Sequence, residues 1–233
     1  MQTQPLADAG PDFRHVEAWL FDLDNTLYRA DSDLFAQIDA RMCEFVGRLL
    51  DVPAEDARRI QKDYYRDHGT TLNGLIRRHD IDPESFLAFV HDIDLSVLSP
   101  DAALNEAIAH LPGKRFVFTK GCRNYARRVL ERVGLADSID GLWDIRALAF
   151  SPKPHIAVYR TVLAEADVAA ERCAMFEDVA RNLVPAHELG MTTVWLNNDS
   201  IWSKQGPEYP LAESRHIDYE ITDLNLFLRA IRT

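Results

Sequence analysis

Apolar positions along this chain follow two rhythms, and the change between them divides it. Val16 to Phe21 (VEAWLF) is a short apolar run ending in acidic residues, the pattern of a buried strand. From Asp31 the period lengthens. Leu34, Ile38, Met42, Phe45 and Leu49 recur every three or four positions, which places them on one face of a helix. Asp51-Val52-Pro53 breaks that helix. Pro53 with Glu55 and Asp56 starts another, because proline fits a first turn and acids suit the positive end of the helix dipole. Gly69 stops it. Asp82-Pro83-Glu84 and Ser99-Pro100-Asp101 are further starts of the same kind. Residues 31–98 therefore read as a helical block without a strand.

Beyond Pro112-Gly113 the shorter rhythm returns. Strands are expected at Arg115–Thr119, Gly141–Ile145, Cys173–Phe176, Thr192–Leu196 and Tyr219–Ile221. Helices are expected at Tyr125–Val133, His155–Ala166, Val179–Leu189 and Asp223–Ile231, with a polar loop from Asn197 to about Arg215. Strands alternating with helices predict an α/β fold, a parallel sheet covered on both faces. Such sheets bind ligands at the carboxyl ends of their strands. The informative polar residues fall there: Asp22 and Asp24, Thr119, then Glu177 and Asp178.

Composition narrows the class. The 233 residues carry 26 basic and 37 acidic side chains, a formal charge of −11. That balance argues against a protein that wraps a nucleic acid polymer, which needs a basic face to displace counterions. It leaves room for a small phosphorylated ligand in a local pocket. Cys43, Cys122 and Cys173 are odd in number and widely spaced, which fits core residues in a reducing, cytoplasmic setting better than a disulfide framework or a zinc site. No apolar run reaches the ~20 residues a bilayer span needs, so no membrane association is expected. Residues 1–14 lack the basic start and apolar stretch of a secretory signal and read as a loose leader.

In Phe21-Asp22-Leu23-Asp24-Asn25-Thr26-Leu27 two carboxylates stand where a buried strand leaves the sheet. In a continuing strand both would share a face; in a turn they can divide tasks, one attacking and one handling protons. An Asx-type turn is the plainer reading. Thr119 ends a strand before Lys120-Gly121, where a hydroxyl and backbone amides can hold an anion or simply cap a helix. Lys153 sits between Pro152 and Pro154, which fix the local backbone. Glu177-Asp178, with Asn182 a turn later, is a second acidic pair at a strand end, or a helix cap with favourable first-turn acids.

The order of these elements resembles the haloacid dehalogenase (HAD) superfamily of phosphotransferases over residues 16–200. The resemblance implies a Rossmann-like parallel sheet core formed by residues 15–30 and 99–233, with a helical cap inserted over 31–98. It also implies roles. Asp22 is the nucleophile that takes the phosphoryl group, and Asp24 is the acid for the leaving oxygen and then the base for water. Thr119 and Lys153 bind phosphoryl oxygens. Mg²⁺ is held by the Asp22 carboxylate, the Asp24 backbone carbonyl and the Asp178 carboxylate, with Glu177 either a direct ligand or one step removed, and Asn182 in support. Asp24 separates the chain from dehalogenase-type relatives, which lack a carboxylate there.

The charges point the same way. Asp22, Asp24, Glu177 and Asp178 face one lysine, Lys153, and a phosphate dianion adds two more negative charges. One unit repulsion at about 4 Å costs about 4 kcal/mol at an effective dielectric near 20. Such a cluster needs a cation, and carboxylate oxygens without His or Cys suit magnesium rather than zinc.

Three strings, DLDNTLY from Asp22, GTTLNGL from Gly69 and FEDVARNL from Phe176, resemble the pyrimidine 5′-nucleotidase group of HAD phosphatases. In that group the GTT segment faces the active site, which implies substrate contacts for Thr70, Thr71 and Asn73. A helix C-cap followed by an N-cap explains the same segment locally. Lys120 stands where the family usually has asparagine, and Arg29 where proline is common; Lys120 would add positive charge at the phosphate mouth. The expected partner is a small phosphorylated metabolite, first a pyrimidine nucleoside 5′-monophosphate. A sugar-phosphate phosphatase or phosphomutase, and a non-catalytic HAD-fold binding protein, are the alternatives. The chain is expected as a monomer or homodimer.

Overall fold

The computed structural model describes residues 10–198, 200–203 and 215–233. Six strands, β1 (Ala18–Phe21), β2 (Lys114–Phe118), β3 (Gly141–Trp143), β4 (Cys173–Glu177), β5 (Thr192–Leu196) and β6 (Tyr219–Ile221), form one sheet in the order β3-β2-β1-β4-β5-β6. Every pairing is parallel. The fold is the expected α/β architecture.

Alternation along β1 assigns the two cores. Trp19 and Phe21 face one side, where they meet α5 (Ala102–Ala109), α6 (Arg123–Val133) and α9 (Leu224–Ala230) through residues such as Ile108, Val129 and Leu228. Ala18 and Leu20 face the other, packed with Val158, Tyr159 and Val162 of α7 (Ile156–Ala166) and Ala186 of α8 (Val184–Leu189). With both faces buried, a strand has no polar side, which explains the unbroken apolar run.

Register places the site. Phe21 pairs with Val117 on one flank and Phe176 on the other. The next residue, Asp22, therefore lies between Phe118 and Glu177, and its N–H donates to the Phe176 carbonyl at 2.9 Å. The carboxyl ends of the three central strands thus converge on Asp22.

Between β1 and β2 the chain forms α1 (Leu34–Leu50), α2 (Ala54–His68), α3 (Thr71–His79) and α4 (Pro83–Val90), which pack on one another. Gly69 ends α2 at φ 78°, a left-handed conformation that favours glycine. Asp82 and Asp101 cap α4 and α5 by accepting two backbone N–H bonds each.

Several expectations need correction. The apolar stripe of α1 is split between two seams: Cys43 and Val46 are buried, Phe45 packs edge-on against Phe86 of α4 at 5.1 Å, and Leu49 is left 41% exposed. A helix flanked by two others buries more than one face, so a single stripe describes it poorly. The helix expected over Val179–Leu189 divides into a 3₁₀ turn at Ala180–Leu183 and α8, because Pro185, lacking an N–H, sits in a first turn. The end of the supposed leader is anchored. Phe13 is fully buried, stacks on Trp19 at 5.7 Å and donates its N–H to the Arg232 carbonyl at 2.9 Å. The remainder of that leader, and most of the polar loop from Asn197 to Arg215, lie outside the described residues.

Candidate active site

The site is built on the turn that follows β1. Leu23 accepts from the N–H groups of Thr26 and Leu27, and Asn25 adopts φ 60°. This turn separates the two aspartates, which in an extended strand would share a face. Asp22 stays at the sheet end. The Asp24 carboxylate swings aside, and its Oδ1 accepts from Tyr28 at 2.8 Å and from Tyr125 of α6 at 2.6 Å.

Lys153, only 1% exposed, is delivered by the segment between β3 and α7. Its Nζ donates to Asp22 Oδ1 at 2.6 Å, Glu177 Oε2 at 2.6 Å and the Phe118 carbonyl at 2.8 Å. An ammonium has three protons, so all are committed. The lysine clamps two carboxylates together rather than presenting a free donor. Glu177 is engaged at both oxygens, since Oε1 accepts from Asn182 Nδ2 at 2.8 Å and from the Val179 N–H at 3.4 Å. Asn182 supports Glu177 directly. Asp178 is buried beside them, its backbone carbonyl fixed by Trp195 Nε1 at 2.8 Å.

Charge and burial shift these groups strongly. Burial, then the neighbouring Glu177, pushes the Asp22 carboxyl up to about 7 against the pull of Lys153. The same causes raise Asp178 well above the ordinary carboxylate range. Burial raises Asp24 as well, against its two phenol hydrogen bonds. Lys153 is raised too: burial opposes its charge, but Asp22 and Glu177 outweigh it and hold the ammonium protonated. Burial pushes Tyr28 and Tyr125 well above 10, so both remain donors.

Carboxylate oxygens of Asp22, Glu177 and Asp178 all lie within 4.8 Å of one another. Three hard oxygen donors, two of them raised by burial and by neighbouring carboxylates, fit a small divalent cation such as magnesium. The Asp24 carboxylate is outside this group.

A cavity of about 150 Å³ opens beside the carboxylates and extends between the helices. Asp22, Asp24, Asp178, Lys120 and Gly121 form its floor, and residues of α1–α4 its far wall. Thr119 is buried at the end of β2 and its Oγ1 accepts from the Gly121 N–H at 3.0 Å, closing a turn rather than capping α6, whose N-cap is Cys122. Lys120 faces the cavity with Nζ 3.5 Å from Asn182 Oδ1, and burial lowers it to about 8.

In the GTT segment the local explanation describes the backbone: Thr70 caps α3 by accepting from the Asn73 N–H at 3.0 Å. Thr70 and Thr71 nonetheless line the cavity. Asn73 does not; its amide reaches back to the His68 carbonyl at 3.5 Å.

Sequence reasoning missed several residues at the site. Tyr125 holds Asp24, and Tyr65 receives a hydrogen bond from Arg181. Asp39, Gln61 and Trp202 line the cavity. Only Tyr28, one helical turn after Asp24, carried a local signal.

Comparison with known proteins places the chain in a family and matches its fold. A family model described as haloacid dehalogenase-like hydrolase matches residues 16–190. Phosphate metabolism protein 8 of Saccharomyces cerevisiae is 30% identical over 138 residues, an alignment covering 54% of this chain and 42% of that protein. The chain therefore spans less than half the length of that relative. Among solved structures, a HAD phosphatase from Thermococcus onnurineus superposes with a TM-score of 0.60 at 20% identity, covering 94% of this chain and all of the other. A predicted phosphoglycolate phosphatase from Haemophilus somnus gives a TM-score of 0.62 at 16% identity, covering 92% and 97%. These structural likenesses speak for the fold. With a family match spanning three-quarters of its length, the chain belongs to the haloacid dehalogenase-like hydrolases.

Proposed function

We propose that this hydrolase is a magnesium-dependent phosphomonoesterase acting through an aspartyl-phosphate on Asp22. The observation that carries the reading is the buried constellation at the carboxyl ends of the central strands. Lys153 fixes one oxygen of Asp22, Asp178 lies within metal-sharing distance, and Asp24 is held apart by its own donors.

The chain's residues then act in turn. An oxygen of Asp22 attacks phosphorus while the bond to the leaving oxygen breaks, and Asp24 gives that oxygen its proton. Asp24, now ionised, takes a proton from water as the water oxygen bonds to phosphorus and the Asp22–phosphorus bond breaks. Inorganic phosphate leaves and both aspartates return to their first state. Asp22, Asp178 and, through reorientation, Glu177 would hold magnesium, with the Asp24 backbone carbonyl a further ligand; the metal supplies charge neutralisation at the phosphoryl oxygens. Lys153 contributes its charge and the aim of Asp22, while Thr119 and Lys120 are the groups for phosphoryl oxygens.

Residues 31–98 serve as the cap that excludes water and reads the leaving group. The cavity wall is largely apolar, with Phe35, Ile38, Phe86 and Leu87, and this supports a flat base over a bare sugar. A pyrimidine nucleoside 5′-monophosphate is the first candidate. Asp39, Gln61, Thr70 and Thr71 on the same wall suit hydroxyl groups and make a sugar phosphate the second, for a phosphatase or a mutase. The buried, unpaired cysteines accord with a cytoplasmic setting. Among the described residues no helix is long and apolar enough to cross a membrane.

A phosphate-release screen over nucleotides and sugar phosphates, with magnesium or EDTA, tests the proposal. Turnover of UMP or CMP that EDTA abolishes is expected. Brisk hydrolysis of sugar esters alone would remove the nucleotidase reading, and no release from any ester would remove the phosphatase.

A further inference from the structure

The Asp24 carboxylate is held asymmetrically. Both of its side-chain donors, Tyr28 and Tyr125, address the same oxygen, Oδ1, at 2.8 and 2.6 Å. Both phenols are buried. They approach from different parts of the chain: Tyr28 from the turn after β1, Tyr125 from the first turns of α6. A carboxylate oxygen receiving two hydroxyl donors has its lone pairs engaged. A proton on Asp24 is therefore directed to Oδ2.

The Tyr125 ring is itself fixed. His91, at the end of α4, stacks on it with centroids 4.4 Å apart and planes 13° from parallel. Arg128, on α6, donates to the His91 carbonyl at 3.2 Å and ties that residue to the same helix. His91 also lines the cavity.

We propose that Tyr28 and Tyr125 are positioning residues that keep the transferable proton of Asp24 on Oδ2, aimed at the leaving oxygen. The inference rests on the reading of Asp24 as the acid–base group. In the first step the Oδ2 proton passes to the leaving oxygen, which also takes the electron pair of the breaking P–O bond. In the second, Oδ2 receives a proton from the attacking water. With either phenol lost, Oδ1 competes for the proton, and fewer encounters place it where the leaving group can take it.

The test compares kcat/KM for benzyl phosphate, whose alkoxide must be protonated, and 4-nitrophenyl phosphate, whose phenolate leaves unaided. This ratio reports the phosphorylation step alone. The Y28F/Y125F double variant keeps both rings and the His91 stack. It is expected to lower kcat/KM about 30-fold or more for benzyl phosphate and less than about 3-fold for 4-nitrophenyl phosphate, a part of the roughly 100- to 10,000-fold that acid catalysis typically supplies. Each single variant should do less, since one donor remains. Asp24→Asn is the control and should show the same selectivity more strongly. If it is selective and the double tyrosine variant lowers both esters alike, or neither, the positioning role is overturned. If Asp24→Asn is itself unselective, the acid–base reading falls. No phosphate release from either ester by the unaltered enzyme with magnesium would remove both.

Discussion

Lys153 and Asp22 are 131 residues apart in the chain and meet at 2.6 Å in a buried ion pair, with Glu177 completing the contact at 2.6 Å. Burying an ammonium is unfavourable unless paired and hydrogen-bonded. Here both conditions hold, and all three protons are used. The pair ties the ends of β1, β2 and β4 together and fixes the Asp22 carboxylate.

Removing this lysine should therefore damage stability and activity together. Lys153→Met leaves Asp22 and Glu177 buried without their counter-charge, a change that costs about 3–5 kcal/mol in comparable pairs. A fall in melting temperature of about 10 °C and loss of at least about 100-fold in kcat are expected. Calorimetry and phosphate release check both. Lys153→Arg should not restore activity, because a planar guanidinium cannot reproduce three converging bonds from one atom. Full activity in Lys153→Arg would show that charge alone suffices.

Magnesium affinity should depend on pH. Asp22 titrates at about 7 without metal, against an ordinary value of 3.8, and Asp178 is raised as well. The metal needs the ionised forms, so its affinity should rise from pH 6 to pH 8 with uptake of metal releasing protons. The same shift sets stability. Below about 4 both folded and unfolded chains hold the proton. Between about 4 and 7 the folded chain keeps a proton that the unfolded chain has lost, so the metal-free protein loses this contribution as pH rises through that window. EDTA-treated protein should then gain more melting temperature from added magnesium at pH 8 than at pH 6. Equal gains at both would contradict the shift.

Glu177 and Asp178 should separate in function. Both residues line the cavity, but both Glu177 oxygens are taken by Lys153, Asn182 and Val179. Asp178→Asn should weaken magnesium binding by about 10-fold or more, measured by calorimetric titration. Asn182→Ala should leave that affinity within a few-fold while lowering kcat about 10-fold, in line with losses for residues that orient a ligand's neighbour. A matching loss of affinity in both would make Asn182 part of the metal cage.

Lys120 is expected to act on substrate rather than on the nucleophile. It faces the cavity, and its side-chain hydrogen bond to Asn182 is long. Lys120→Met should raise KM by about 10-fold, the size of a lost charged hydrogen bond, with kcat changed less. Steady-state kinetics with the best ester separate the two, and an unchanged KM would place Lys120 outside substrate binding.

Much of this site was readable from the order of residues, because strand ends are where a parallel sheet displays its polar groups. Asp22, Asp24, Thr119, Glu177 and Asp178 follow apolar runs that cannot continue buried once charged. Lys153 was readable as present but not as saturated, since its three acceptors come from separate strands. Tyr125 was illegible for the same reason: an aromatic residue on an amphipathic helix looks like core until a distant carboxylate meets its hydroxyl. The α1 stripe misled because periodicity records how much of a helix is covered, not by how many neighbours. Phe13 was hidden by its polar surroundings in sequence, although a fully buried ring stacks on Trp19.

The most direct measurement is the site of covalent phosphorylation. Asp24→Asn enzyme, slowed in the water step, is mixed with 4-nitrophenyl phosphate and magnesium, quenched in acid, digested and examined by mass spectrometry. One phosphoryl group is expected on the peptide containing Asp22, absent when Asp22 is also changed to Asn. A phosphoryl group on any other residue, or brisk nitrophenol release by the Asp22→Asn enzyme, would contradict it.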